Sequence, residues 1–128
     1  MAEGRAEAKV AASPQEIWAL VGDFGGLADW MPGMDACELD GDVRKIHTMG
    51  LEIHEQLKER DDDARRISYS IVKSPMPLEH HLATITVAED GDGSFVTWAY
   101  EIRPDEMVGA FAPVYDGSVQ AIKARFES

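Results

Sequence analysis

Cysteine, positive charge and long apolar runs are all scarce in this chain, and each scarcity excludes a class of function. Cys37 is the only cysteine, so no internal disulfide can form and a thiolate metal site has no ligand set. Lysine and arginine together number 12 against 24 aspartates and glutamates, a net charge of −12. Nucleic-acid binding needs a basic surface to replace phosphate counterions, so it is excluded, and the same imbalance disfavours an anionic membrane. No stretch approaches the ~20 apolar residues of a spanning helix, and the opening "MAEGRAEAKV" has no apolar signal core. Membrane insertion is therefore not expected, and the expected location is cytoplasmic. No nucleophile motif, phosphate-binding loop or metal constellation occurs, so no cofactor and no metal are expected.

What is present suits a globular domain. The 128 residues are 45% hydrophobic and 28% charged, enough for one domain with a real core. No repeat or linker divides residues 1–128. Residues 5 to 12 alternate weakly and predict an opening strand. "SPQEIW" then starts a helix, with Ser13 as cap, Pro14 in the first position and Glu16 completing a capping box. Ile17, Trp18, Leu20, Val21 and Phe24 supply its buried face. The glycines of "GDFGGLADWMPG" end it and introduce a second short helical turn. A meander of strands follows, punctuated by the turns at Asp40-Gly41 and Met49-Gly50, the carboxylates at 61 to 63, the "KSPMPLE" loop and the "EDGDG" hairpin. After Pro104, acidic Asp105 and Glu106 open a C-terminal helix, with Met107, Phe111, Val114, Ile122 and Phe126 near one face. Pro113 should kink or break it. Strand, two short helices, antiparallel strands and one long helix make an α+β fold, a bent sheet wrapped around the terminal helix.

In "ASPQEIWALVGDFGGLADWMPG", "LDGDVRKI", "IHEQLKERDDDARRISYSIV", "TWAYEIRP" and "AIKARFE" the chain resembles the START/Bet v 1-like (SRPBCC) helix-grip superfamily. Within it, the resemblance is to the bacterial polyketide cyclase/dehydratase and lipid-transport family, in that family's own order over nearly the whole chain. It implies a seven-stranded sheet gripping the last helix, with an elongated apolar cavity between them. Plant abscisic-acid receptors of the same superfamily carry a pocket glutamate where Glu55 stands. Their gating loop falls where this chain has only the Met49-Gly50 turn, so a hormone-receptor gate is not implied.

"LEIHEQLKER", residues 51 to 60, is the most informative strand. Leu51, Ile53 and Leu57 alternate as a buried face, yet Glu55 stands on the same face, where a lone carboxylate costs several kcal/mol, roughly. A two-residue turn at Met49-Gly50 pairs Thr48 with Leu51, Ile46 with Ile53, and Arg44 with Glu55. Centring the next turn on Asp62 sets Glu55 opposite Tyr69. The following loops set Tyr69 against Ala83, Ala83 against Tyr100, and His81 against Ile102. The expected cavity floor is thus a polar row of Arg44, Glu55, Tyr69 and Tyr100, with His81 nearer the open end. Arg44–Glu55 reads as a structural ion pair, with or without a lone pair left for a ligand.

His81 points inward, and its near-neutral titration makes it the best candidate general acid or base; otherwise it is a satisfied histidine of the mouth. His80 points outward. His47 and His54 lie on the outer faces of neighbouring strands, an incidental surface pair rather than a metal site. Trp30 should fold over the cavity, and Trp98, near Ile85, should form its wall. Met76, held in an extended flap by Pro75 and Pro77, and Phe111 complete the candidate ligand contacts. The mouth is expected at the end of the sheet carrying Met49-Gly50 and "SPMP".

Two classes of function fit. One is a cofactor-independent enzyme that cyclises or dehydrates a polyketide-like substrate through Glu55, Tyr69 and His81, with Arg44 orienting the glutamate. The other is a carrier or sensor in which the same groups anchor the polar end of a hydrophobic small molecule. An adaptor whose acidic exterior binds another protein is a third, weaker reading.

Overall fold

The computed structural model describes residues 2–127, and within them seven antiparallel strands wrap one long helix. Strand β1 (Ala2–Val10) leads to helix α1 (Pro14–Val21) and a 3₁₀ turn at Phe24–Asp29. Strands β2 (Met34–Asp40), β3 (Val43–Thr48), β4 (Leu51–Asp61), β5 (Arg66–Lys73), β6 (His80–Asp90) and β7 (Gly93–Arg103) follow as a meander. A 3₁₀ turn at Asp105–Met107 then opens helix α2 (Val108–Glu127). The strands lie in the order β1-β7-β6-β5-β4-β3-β2. β1 returns across the molecule to pair with β7, from Ala2 opposite Ile102 to Val10 opposite Ser94.

Local chemistry explains the main boundaries. Ser13 accepts the Glu16 amide at 3.2 Å while the Glu16 carboxylate accepts the Ser13 amide at 3.3 Å, so two otherwise orphaned donors are satisfied reciprocally. Met49 and Gly50 both have positive φ, 50° and 76°, as a two-residue hairpin with the sheet's right-handed twist requires. That turn fixes Thr48–Leu51, Ile46–Ile53 and Arg44–Glu55 as cross-strand partners. The "EDGDG" hairpin turns through Gly91 and Asp92 and sets Ala83 opposite Tyr100 and His81 opposite Ile102.

The β4–β5 register differs from the one expected. Glu55 faces Ile71, and it is Leu57 that faces Tyr69. The connection spans residues 62 to 65, with Arg65 at φ 51° and the Asp61 carboxylate accepting the amides of Asp63 and Ala64. Continued without interruption from Asp61–Arg66, the ladder would set Glu55 against Val72. A bulge between Leu57 and Glu59 slips it by one residue and brings the inward positions of both strands back together. Pairing between β5 and β6 runs only from Arg66–Thr86 to Tyr69–Ala83.

Helix α2 lies along β1 and β7 and buries Phe111, Tyr115, Ser118, Val119 and Ile122. Val114, expected on that face, is 50% exposed, being one residue, or about 100° of helix, away from Tyr115. Pro113 does not break the helix. The carbonyl it leaves without an amide belongs to exposed Gly109, where water can serve in its place. No helix among the described residues is long and apolar enough to cross a membrane.

Candidate functional site

Between the inner faces of β3 to β5, the segment Met31–Met34 and the first half of α2 lies a cavity of about 500 Å³. Its wall is largely apolar, built from Leu27, Ile46, Leu51, Ile53, Ile71 and Trp98, with Phe111 and Tyr115 from the helix. Met49, 78% exposed, and Val114 stand at its rim. The volume falls in the range of small-molecule sites, ~300–1,000 Å³.

The buried charged cluster of the wall is Arg44 and Glu55 with Tyr69 beside them; the other polar side chains, Thr48, Tyr115 and Ser118, are engaged with the Gly33 carbonyl, His81 and the Val114 carbonyl. Arg44 is 4% exposed and Glu55 7%. The Arg44 Nε–H donates to Glu55 Oε1 at 2.7 Å, and Nη1 donates to the Phe24 carbonyl at 3.1 Å. The guanidinium lies between two aromatic faces, 4.1 Å from the Phe24 ring centre and 4.6 Å from that of Tyr69, so cation–π attraction adds to the ion pair. Burial pushes the Glu55 carboxyl above its usual range, and Arg44 pulls it back. Losing that charge would leave a permanently ionised guanidinium unpaired in the interior. The pair therefore stays ionised at neutral pH.

A second polar chain runs behind the wall. The Ile71 amide donates to His81 Nδ1 at 3.1 Å. A backbone amide can only donate, so Nδ1 carries no proton and the neutral ring bears its hydrogen on Nε2. That nitrogen lies 2.6 Å from the Tyr115 hydroxyl, to which it donates. The Trp98 indole N–H donates to the Tyr69 hydroxyl at 3.2 Å. Burial foremost, with the Glu55 charge adding, holds the Tyr69 hydroxyl well above the phenol range, so it keeps its proton. His81 is lowered to about 4, first by burial and then by neighbouring His80.

Arg44, Glu55, Tyr69, Met76, Trp98 and Phe111, all singled out from the sequence, border the cavity. His81, Trp30 and Tyr100 do not. His81 is 2% exposed and enclosed by Tyr69, Phe111 and Tyr115, with ring centres 5.9, 5.8 and 6.4 Å away. It therefore sits behind the aromatic wall rather than at a mouth. Trp30 packs against Trp98, ring centres 6.4 Å apart. Tyr100 packs on Tyr115 at 4.6 Å, and its hydroxyl reaches over Gly4, where any Cβ would lie 2.6 Å from it.

Sequence reading missed Tyr115. The signal was available, since Phe111, Tyr115, Ser118, Val119 and Ile122 follow the i, i+4, i+7, i+8, i+11 spacing of one helix face. The outer histidines meet carboxylates: His47 with Glu38 at 3.5 Å, His54 with Glu52 at 2.7 Å and His80 with Glu101 at 3.2 Å. No group of three or more metal-ligating side chains gathers among the described residues.

Comparison with known proteins bears on this geometry. The family profile described as "Polyketide cyclase / dehydrase and lipid transport" matches residues 1–127. The protein XoxI from Bacillus cereus is similar in structure, with TM-score 0.93 and 30% identity, covering 98% of this chain and 96% of its own. An uncharacterized protein from Bacillus thuringiensis is similar at TM-score 0.92 and 27% identity, over 99% of this chain and all of its own (100%). A START superfamily protein from Mycobacterium smegmatis shares the fold at TM-score 0.81 and 16% identity, over 98% and 97% of the two chains. No curated protein matches the sequence.

Proposed function

The chain belongs to the polyketide cyclase/dehydrase and lipid-transport family, and from that premise we propose that it holds a hydrophobic small molecule in the cavity as a carrier or sensor. The polar end of that molecule rests on Arg44, Glu55 and Tyr69, and its apolar body lies against Ile53, Ile71 and Trp98. The observation that carries this reading is the wall itself: a largely apolar void of about 500 Å³ with a buried charged cluster on one side. Proton-transfer chemistry is less well supplied. Tyr69 retains its proton, and both ring nitrogens of His81 are engaged behind the wall.

A second reading, cyclisation or dehydration of the same ligand, draws support from Glu55. It is the one carboxylate on the cavity wall among the described residues, its proton affinity is raised by burial, and a base tuned upward suits proton abstraction. Under that reading Glu55 is the base, Tyr69 a donor to a carbonyl oxygen, and His81 holds Tyr115 in place.

Filling the cavity tests the proposal. Ile53→Trp places an indole in the void without removing a polar contact. Titration with the neutral fluorescent probe N-phenyl-naphthylamine should give saturable binding to the wild type. The substitution should weaken it at least about tenfold, a loss of roughly 1.4 kcal/mol, while the melting midpoint moves little. Equal affinity in the two proteins would place the binding elsewhere.

A further inference from the structure

Three side chains on the cavity wall have hydrogen-bonding capacity that the protein leaves unused. Glu55 Oε1 accepts from Arg44, whereas Oε2 has no partner among the described residues. Arg44 uses Nε and Nη1, and Nη2 is likewise without one. The Tyr69 oxygen accepts the Trp98 indole N–H, and the Tyr69 and Tyr115 hydroxyls share a hydrogen bond. No fully enclosed side-chain nitrogen or oxygen among the described residues lacks a partner, so the free Glu55 and Arg44 atoms are accessible. All three residues line the void.

The sense of each free group is fixed. An indole N–H can only donate, so one lone pair of the Tyr69 oxygen is committed to Trp98. Behind it the protons run one way, from the Ile71 amide to His81 and from His81 to Tyr115. With His81 donating to the Tyr115 oxygen, the Tyr115 proton goes on to the Tyr69 oxygen, its hydrogen-bond partner, and the chain ends with the Tyr69 hydrogen turned to the void. Arg44 Nη2 can only donate, and the ionised Glu55 can only accept. The cluster therefore offers donors from Arg44 and Tyr69 beside a charged acceptor, Glu55 Oε2.

Resting on the ligand-binding reading above, we infer that the cavity selects an uncharged hydroxyl-bearing end, an alcohol, phenol or enol, over a carboxylate. A hydroxyl donates to Glu55 Oε2 and accepts from Tyr69 or Arg44, so it answers both senses at once. An ether or ketone can only accept, and leaves Glu55 Oε2 against carbon, an unpaired polar atom. A carboxylate meets the same unanswered oxygen and adds like-charge repulsion, because Arg44, the wall's cation among the described residues, is already neutralised by Glu55 at 2.7 Å.

A matched dodecyl series separates these cases by displacement of N-phenyl-naphthylamine. Dodecanol should bind the wild type about tenfold or more tighter than either dodecyl methyl ether or dodecanoate, the scale of one charge-assisted hydrogen bond. Glu55→Gln should reverse the order of alcohol and carboxylate, since Arg44 then carries an unneutralised charge. Tyr69→Phe should weaken alcohol and ether alike, by about fivefold for one neutral hydrogen bond, and preserve the gap between them. If Glu55→Gln does not fold, the wild-type order and Tyr69→Phe still decide. Dodecanoate binding as tightly as dodecanol, or all three binding equally, would overturn the selectivity and leave hydrophobic binding standing. No binding of any of the three would overturn both.

Discussion

Arg44→Met is expected to lower the stability of the fold by about 3–5 kcal/mol, the cost of leaving a buried partner charge uncompensated. Arg44 is held at three points. Its Nε–H is 2.7 Å from Glu55, its Nη1–H is 3.1 Å from the Phe24 carbonyl, and its plane is sandwiched by Phe24 and Tyr69. Methionine keeps some of the packing and supplies none of the charge. Glu55 must then take up a proton inside the wall or draw water into it. Replacing both members, Arg44→Met with Glu55→Leu, should recover most of the loss, because the desolvation of two charges is removed along with their attraction. Urea unfolding of the wild type, both single variants and the double variant checks this. A single variant within about 1 kcal/mol of the wild type would mean that the pair is solvated like a surface salt bridge.

The second large effect is a loss of stability in mild acid that originates at His81. Its folded-state value is about 4, against an ordinary value of 6.5. A group lowered by folding binds more protons when unfolded, so its stabilising contribution is complete above pH 6.5 and is lost as pH falls toward 4. The difference corresponds to about 3 kcal/mol. Protonation would also place a hydrogen on Nδ1, against the Ile71 amide that now donates to it. Glu55, raised by burial, works with the opposite sign. The His81 contribution is therefore read as the difference in pH slope between the wild type and His81→Gln. Parallel stability curves for the two proteins from pH 7 to about 4 would remove His81 as the acid-sensitive group.

Much of this arrangement was legible in the sequence, and what was not has definite causes. Two-residue turns carry register: Met49-Gly50 was enough to pair Arg44 with Glu55, because a tight hairpin admits one alignment and the alternation of β4 confirms it. The capping box at Ser13 and Glu16 was equally local. The β4–β5 register was not, because the connection is centred between residues 63 and 64 and not on Asp62, a shift of three residues in partner of which the bulge between Leu57 and Glu59 takes back one, leaving Glu55 opposite Ile71. Alternation also says which residues point inward but not what they meet there. His81 and Tyr100 do point inward, yet Phe111 and Tyr115 of α2 cover them from the void. Depth of that kind depends on the phase of a helix distant in sequence, and placing Val114 rather than Tyr115 on its buried face concealed it.

Native mass spectrometry of the full chain as purified, beside Ile53→Trp, tests most directly whether the cavity is a ligand site. The wild type should carry a discrete neutral adduct, or take up dodecanol when supplied, and Ile53→Trp should do neither while remaining folded. An adduct held equally by both proteins, or a wild type that neither carries a ligand nor takes up the alcohol, would contradict the account.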